Sequence, residues 1–114
     1  MINKIVHFEI GCRDRAAVAP FYSGLFDWQL ESNPIMTSIR TGHEVGGHLN
    51  QLGHEPHNYT MFYVEVEDLE ASVARTVELG GKLLAGPLEY APGNSFAWIS
   101  DPEGNMIGLH RGQR

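Results

Sequence analysis

Four of the chain's six histidines fall inside one short stretch, GHEVGGHLNQLGHEPH at positions 42–57: His43, His48, His54 and His57. Imidazole is the commonest metal ligand near neutral pH, and its pKa also suits proton transfer there. The stretch therefore raises two chemistries, a metal centre and acid–base work. The spacing of three between His54 and His57 would suit one face of a helix, but Pro56 between them argues against a helix. Both lie in a polar connection, where a solvated side chain is the plainer reading. The single cysteine, Cys12, sits in a strand-like run and reads as a small buried hydrophobe before it reads as a nucleophile.

The elements that position these side chains must come from a chain of 114 residues, enough for one domain with a core that needs no disulfide or structural metal. A hydrophobic share of 42% with 10% aromatics is globular. No apolar run approaches the roughly 18 residues of a membrane helix, so no membrane partner is expected. The opening MINKIVHFEI has one lysine, a short apolar stretch and no small-residue cleavage site, so it does not read as a signal peptide. With a lone cysteine, the expectation is a cytoplasmic protein in a reducing compartment. Eight basic against fourteen acidic residues give a net charge of −6, with no basic cluster for a phosphate backbone. Nucleic acid is not an expected partner.

The sequence repeats itself. Residues 7–30, HFEIGCRDRAAVAPFYSGLFDWQL, lie over residues 61–84, MFYVEVEDLEASVARTVELGGKLL, at a constant shift of 54, which matches Phe8 with Phe62, Asp14 with Asp68, Ala17 with Ala71 and Leu25 with Leu79. In the first copy Val6, Phe8 and Ile10 alternate with His7, Glu9 and Gly11, the period of a strand with one face on a core. In the second, Phe62, Val64 and Val66 form the core set, leaving Met61, Tyr63 and Glu65 opposite. Asp14 and Asp68 stand where helix N-caps belong. The second helix, LEASVARTVEL, stops at Gly80 and Gly81, and the first carries Pro20, which should tighten or bend its opening turns. Three strands follow each helix: about 28–32, 34–41 and 44–51, then 82–88, 95–100 and 105–110. DPEGN at 101–105 is a hairpin turn, EYAPGNS a longer loop, and LGHEPHNY at 52–59 joins the halves. The expected fold is α+β, one domain over 1–114 with module one at 1–52 and module two at 59–114.

A β-α-β-β-β unit used twice, with HFEI on its first strand and ISDPEGNMIGLH at the end, resembles the vicinal oxygen chelate superfamily, which includes glyoxalase I, extradiol dioxygenases and bleomycin-resistance proteins. The resemblance covers essentially the whole chain. It implies that the modules curl into a cup-shaped mixed sheet and that two chains pair as a homodimer. In metal-dependent members of the superfamily, the resemblance implies, a divalent ion is held by one residue on the first and last strand of each module. Carried onto this sequence, with GHL aligned to IGL, those positions are His7, His48, Met61 and Gly108. Two donors survive, one position is a thioether and one has no side chain.

Two readings of the site follow. A catalytic ion needs at least three protein donors, and a triad of His7, His48 and Glu9 would supply them in a metal-dependent lyase, isomerase or dioxygenase. Alternatively Glu9 only lines a wet cup or pairs with a neighbour, and no metal or other cofactor is held. The space left by Met61 and Gly108 then suits a small organic molecule, bound by His7, Glu9, His48, Met61, Tyr63, Trp98 and Met106. Trp28 joins that lining; the other reading of both Trp28 and Trp98 is plain core. In the second reading His7 and His48 act as hydrogen-bonding groups or as a general acid and base. A structural module with no ligand is the third class, disfavoured by inward-facing polar residues.

Overall fold

Two aspartates start the two helices. In the computed structural model, which describes residues 2–112, the Asp14 carboxylate accepts from the amides of Ala16 and Ala17 and opens α1 (Arg15–Phe26). Asp68 accepts from the Ala71 amide and opens α2 (Leu69–Glu78). Both caps satisfy amides that have no partner within the helix. Pro20 lies inside α1 without ending it. Gly80, with φ of +97°, follows α2 in the left-handed region where glycine is favoured.

The strands are β1 (Ile5–Gly11), β2 (Gln29–Ser32), β3 (Thr37–Arg40), β4 (Gly46–Asn50), β5 (Tyr59–Glu65), β6 (Lys82–Ala91), β7 (Asn94–Ser100) and β8 (Met106–Arg111). With the helices they give the element order β-α-β-β-β twice, a mixed α+β fold with eight strands and two helices among the described residues. The described residues divide into two compact units, residues 6–61 and residues 2–5 with 62–112. No helix among the described residues is long and apolar enough to cross a membrane.

In residues 6–61 the strand order is β2-β3-β4-β1, with β1 and β4 parallel and the other pairs antiparallel. Cys12, Ile39 and Leu49 are buried at its core, packed by Phe8, Ile10 and Leu30 from the strands, Val18, Ala19 and Tyr22 from α1, and Trp28. The alternation of β1 therefore turns Phe8 and Ile10 toward the helix and His7 and Glu9 away from it. Trp28 stacks on Tyr22 and meets Phe8, so it is core.

In the second unit the order is β5-β8-β7-β6, with β5 and β8 parallel. Leu69, Ala97 and Leu109 are buried there, packed by Val66, Val73 and Ile99. Two strands differ from the sequence expectation. β3 begins at Thr37 because the Asn33 side chain accepts from the amides of Ile35 and Met36 and holds that segment as a turn. β6 continues to Ala91, because register shifts in its pairing with β7 carry the ladder past Leu88 into the expected loop.

Candidate functional site

The parallel pair β1–β4 sets Glu9 directly across from His48 and Gly11 across from Asn50. His7 and His48 share a hydrogen bond, Nε2 to Nδ1, of 2.8 Å. The other nitrogen of His48, Nε2, lies 3.2 Å from Glu9 Oε1. Asn50 Nδ2 donates to Glu9 Oε2 at 3.1 Å, and the Tyr59 hydroxyl donates to the same oxygen. The side chains thus form a connected path, His7 to His48 to Glu9, with Asn50 and Tyr59 behind the carboxylate.

Glu9 is only 1% exposed. A carboxylate so buried is tolerable when donors replace its hydration, and Asn50 and Tyr59 are those donors. Gly11 makes the arrangement possible. A Cβ there would stand 2.1 Å from Tyr59 Cε2, so the absent side chain is what lets the Tyr59 ring cross β1.

The path also fixes what the imidazoles can do. A carboxylate only accepts hydrogen bonds, so Glu9 favours a proton on the Nε2 of His48. In neutral His48 the lone pair is then on Nδ1, accepts from the Nε2–H of His7, and leaves the lone pair of His7 on its own Nδ1. When His7 gains a proton, one can pass across the 2.8 Å bond to His48. The geometry is that of a proton relay.

The four positions that the superfamily resemblance assigns to a divalent ion do not fit one. His7 and His48 turn a nitrogen toward each other, and Met61 is a buried thioether. Gly108 lies under the ring of Tyr63, where a Cβ would meet Cδ2 at 2.2 Å, so no liganding side chain fits. Among the described residues no group of three His, Cys, Asp or Glu is placed to hold an ion, the set His7, His48 and Glu9 included.

Of the expected ligand-contacting residues, the unit of residues 6–61 brings His7, Glu9 and His48 together and also holds Met61. Tyr63, Trp98 and Met106 belong to the other unit. There Trp98 Nε1 donates to the Tyr63 hydroxyl at 2.8 Å, Tyr63 is 7% exposed, and Met106 is half-buried across from Ser100. Asn50 and Tyr59 were absent from the expected set, although period-two counting from His48 and from Met61 reaches both. His43 and His54 are exposed. His54 Nδ1 lies 2.9 Å from the Glu55 carbonyl oxygen, and His57 Nε2 lies 3.7 Å from the Glu55 carboxylate. Burial pushes the Cys12 thiol pKa up, which disfavours the nucleophilic thiolate.

The family model described as a glyoxalase-like domain matches residues 6–110. A Mycobacterium tuberculosis protein that carries the provisional name glyoxylase CFP32 is 26% identical over 111 residues, covering 89% of this chain and 42% of its own length. The chain thus spans less than half of that relative. Among solved structures, the hypothetical protein BH1468 of Bacillus halodurans superposes with a TM-score of 0.75 at 18% identity, covering 100% of this chain and 97% of that one. A Streptomyces coelicolor methylmalonyl-CoA epimerase variant in complex with 2-nitronate-propionyl-CoA gives 0.67 at 16% identity, covering 100% of both chains.

Proposed function

The chain belongs to the glyoxalase-like domain family, and from that premise we propose that it binds a small organic molecule beside His7 and moves a proton to or from it without a divalent metal. The observation that carries this reading is the path from buried Glu9 through half-buried His48 to His7. Its order is that of a base held in orientation by a second group, which is in turn fixed by a buried carboxylate. Positioned proton transfer of this kind contributes about 10²–10⁴-fold to a rate.

The substrate class is a compound whose reaction begins with removal of a proton beside a carbonyl, leading to isomerisation or a lyase-type elimination. A structural neighbour named as an epimerase and holding an acyl-CoA analogue supports that class, since epimerisation at carbon exchanges a proton. In this scheme His7 meets the substrate, His48 takes up the proton that His7 gains, and Glu9 compensates the charge. The thioether of Met61 and the bare Gly108 favour this over metal-assisted polarisation. The exposed apolar side chains Leu83, Leu84 and Leu88 of β6 support pairing of two chains in a homodimer.

A thermal-shift screen of small carbonyl compounds finds the ligand, and spectra of protein labelled at histidine place it. The reading requires a ligand that moves the resonances of His7 and His48 while leaving His54 in place. Ligands that stabilise the protein yet leave His7 and His48 unmoved would sink it.

A further inference from the structure

The second unit carries a side-chain cluster that the proton relay does not use. Glu65 on β5 and His110 on β8 are cross-strand partners, just as Glu9 and His48 are in the first unit. His110 Nδ1 lies 2.6 Å from Glu65 Oε1, and the Gly112 amide donates to Glu65 Oε2 at 2.9 Å. His110 Nε2 lies 2.6 Å from the Tyr90 hydroxyl. His110 is 3% exposed, whereas Tyr90 is 55% exposed.

The two units therefore build the same carboxylate–histidine pair and close it in opposite ways. In the first, Tyr59 donates to the carboxylate. In the second, a tyrosine meets the histidine, so the order becomes carboxylate, imidazole, hydroxyl. With Nδ1–H held by Glu65, the lone pair of His110 lies on Nε2, facing the phenolic O–H of Tyr90. A hydroxyl within hydrogen-bond reach of a base, with the base oriented by a third group, is the signature of an activated nucleophile. The buried base and a tyrosine that is more than half exposed as a residue complete that description.

We propose that Tyr90, His110 and Glu65 form a nucleophilic site that accepts an activated acyl group, from an aryl ester or a thioester, onto the Tyr90 oxygen. Tyr90 Oη attacks the acyl carbon and the new C–O bond forms while the phenolic proton passes to His110 Nε2. The bond to the leaving oxygen or sulfur then breaks, and the leaving group departs with the proton returned by His110. No oxidant, reductant or metal takes part. The site is independent of His7, so its failure would leave the proton relay untouched.

The test treats the full chain with p-nitrophenyl acetate, follows p-nitrophenol release and locates the acetyl group by peptide mass spectrometry. One acetyl per chain on Tyr90 is expected, with none at that position in Tyr90→Phe. His110→Gln should slow labelling of Tyr90 by about a hundredfold, the usual worth of a positioned base. In urea-unfolded wild-type protein the advantage of Tyr90 over the other tyrosines should vanish. Labelling of Tyr90 in the folded wild type no faster than that of Tyr22 overturns the proposal without recourse to any variant. So does a His110→Gln protein that keeps its circular dichroism and its full labelling rate.

Discussion

Replacing Glu9 by glutamine tests whether the buried carboxylate organises the site. In the native protein Glu9 is 1% exposed, accepts from Asn50 and Tyr59, and sits 3.2 Å from His48 Nε2. Glutamine keeps one acceptor oxygen but turns the other into an NH2 group. Whichever way the amide is placed, that group faces a donor: His48 on one side, or Asn50 and Tyr59 on the other. A hydrogen bond to a charged group contributes about 1.5–3 kcal/mol, and a buried donor left without an acceptor costs about 1–3 kcal/mol. Glu9→Gln should therefore destabilise the fold by about 3 kcal/mol. With a urea slope of about 2 kcal/mol per molar, the unfolding midpoint by tryptophan fluorescence should fall by about 1.5 M at unchanged slope. Tyr59→Phe, which withdraws one donor and adds no conflict, should cost about half as much. A Glu9→Gln midpoint within about 0.2 M of wild type would refute the assignment of Glu9 as the charged acceptor, since it would correspond to less than about 0.5 kcal/mol.

Three further outcomes follow from the same geometry. Gly11→Ala places a methyl 2.1 Å from the Tyr59 ring and 2.7 Å from the His57 carbonyl oxygen; overpacking of this kind costs about 1–3 kcal/mol, and calorimetry should show a lowered Tm. Gly108→Glu, which restores a liganding residue type to that position, should lower the Tm rather than create a metal site, because the Tyr63 ring already fills the space; elemental analysis showing one ion per chain in that variant would contradict this. Hydrogen bonds from Asn105 hold the Asp101 carboxyl below its ordinary pKa. Its stabilising contribution is thus present above the unfolded value of about 3.9 and lost as pH falls through the lower folded value, so Asp101→Asn should flatten the acid end of a stability-against-pH curve.

Much of the site was legible in the strands. Alternation in HFEI set His7 and Glu9 on one face, and alignment of GHL with IGL placed His48 and Gly108 at equivalent positions; the structure pairs Glu9 with His48 and Tyr63 with Gly108. The caps Asp14 and Asp68 were equally plain, because a short carboxylate before an amphipathic run has few other roles. What local pattern could not show was the wetness of the face. Glu9 is buried because Asn50 and Tyr59, 41 and 50 residues away in sequence, bring its donors; the period of two puts them on the faces of His48 and Met61 but does not say that they meet Glu9. Period-two counting from Gly108 does reach His110. Tyr90 lay hidden in a segment that reads as loop, and only the register shifts between β6 and β7 extend the strand to include it.

The central claim is that His7, His48 and Glu9 form a hydrogen-bonded proton relay and not a metal site. Long-range proton–nitrogen spectra of histidine-labelled protein, recorded before and after one equivalent of zinc, test it most directly. The account predicts a proton on Nε2 of His48, a hydrogen-bonded Nδ1 on the same ring, and no movement of either ring on adding the metal. Stoichiometric displacement of both the His7 and His48 resonances to metal-bound positions, reversed by a chelator and absent in His7→Ala, would contradict it.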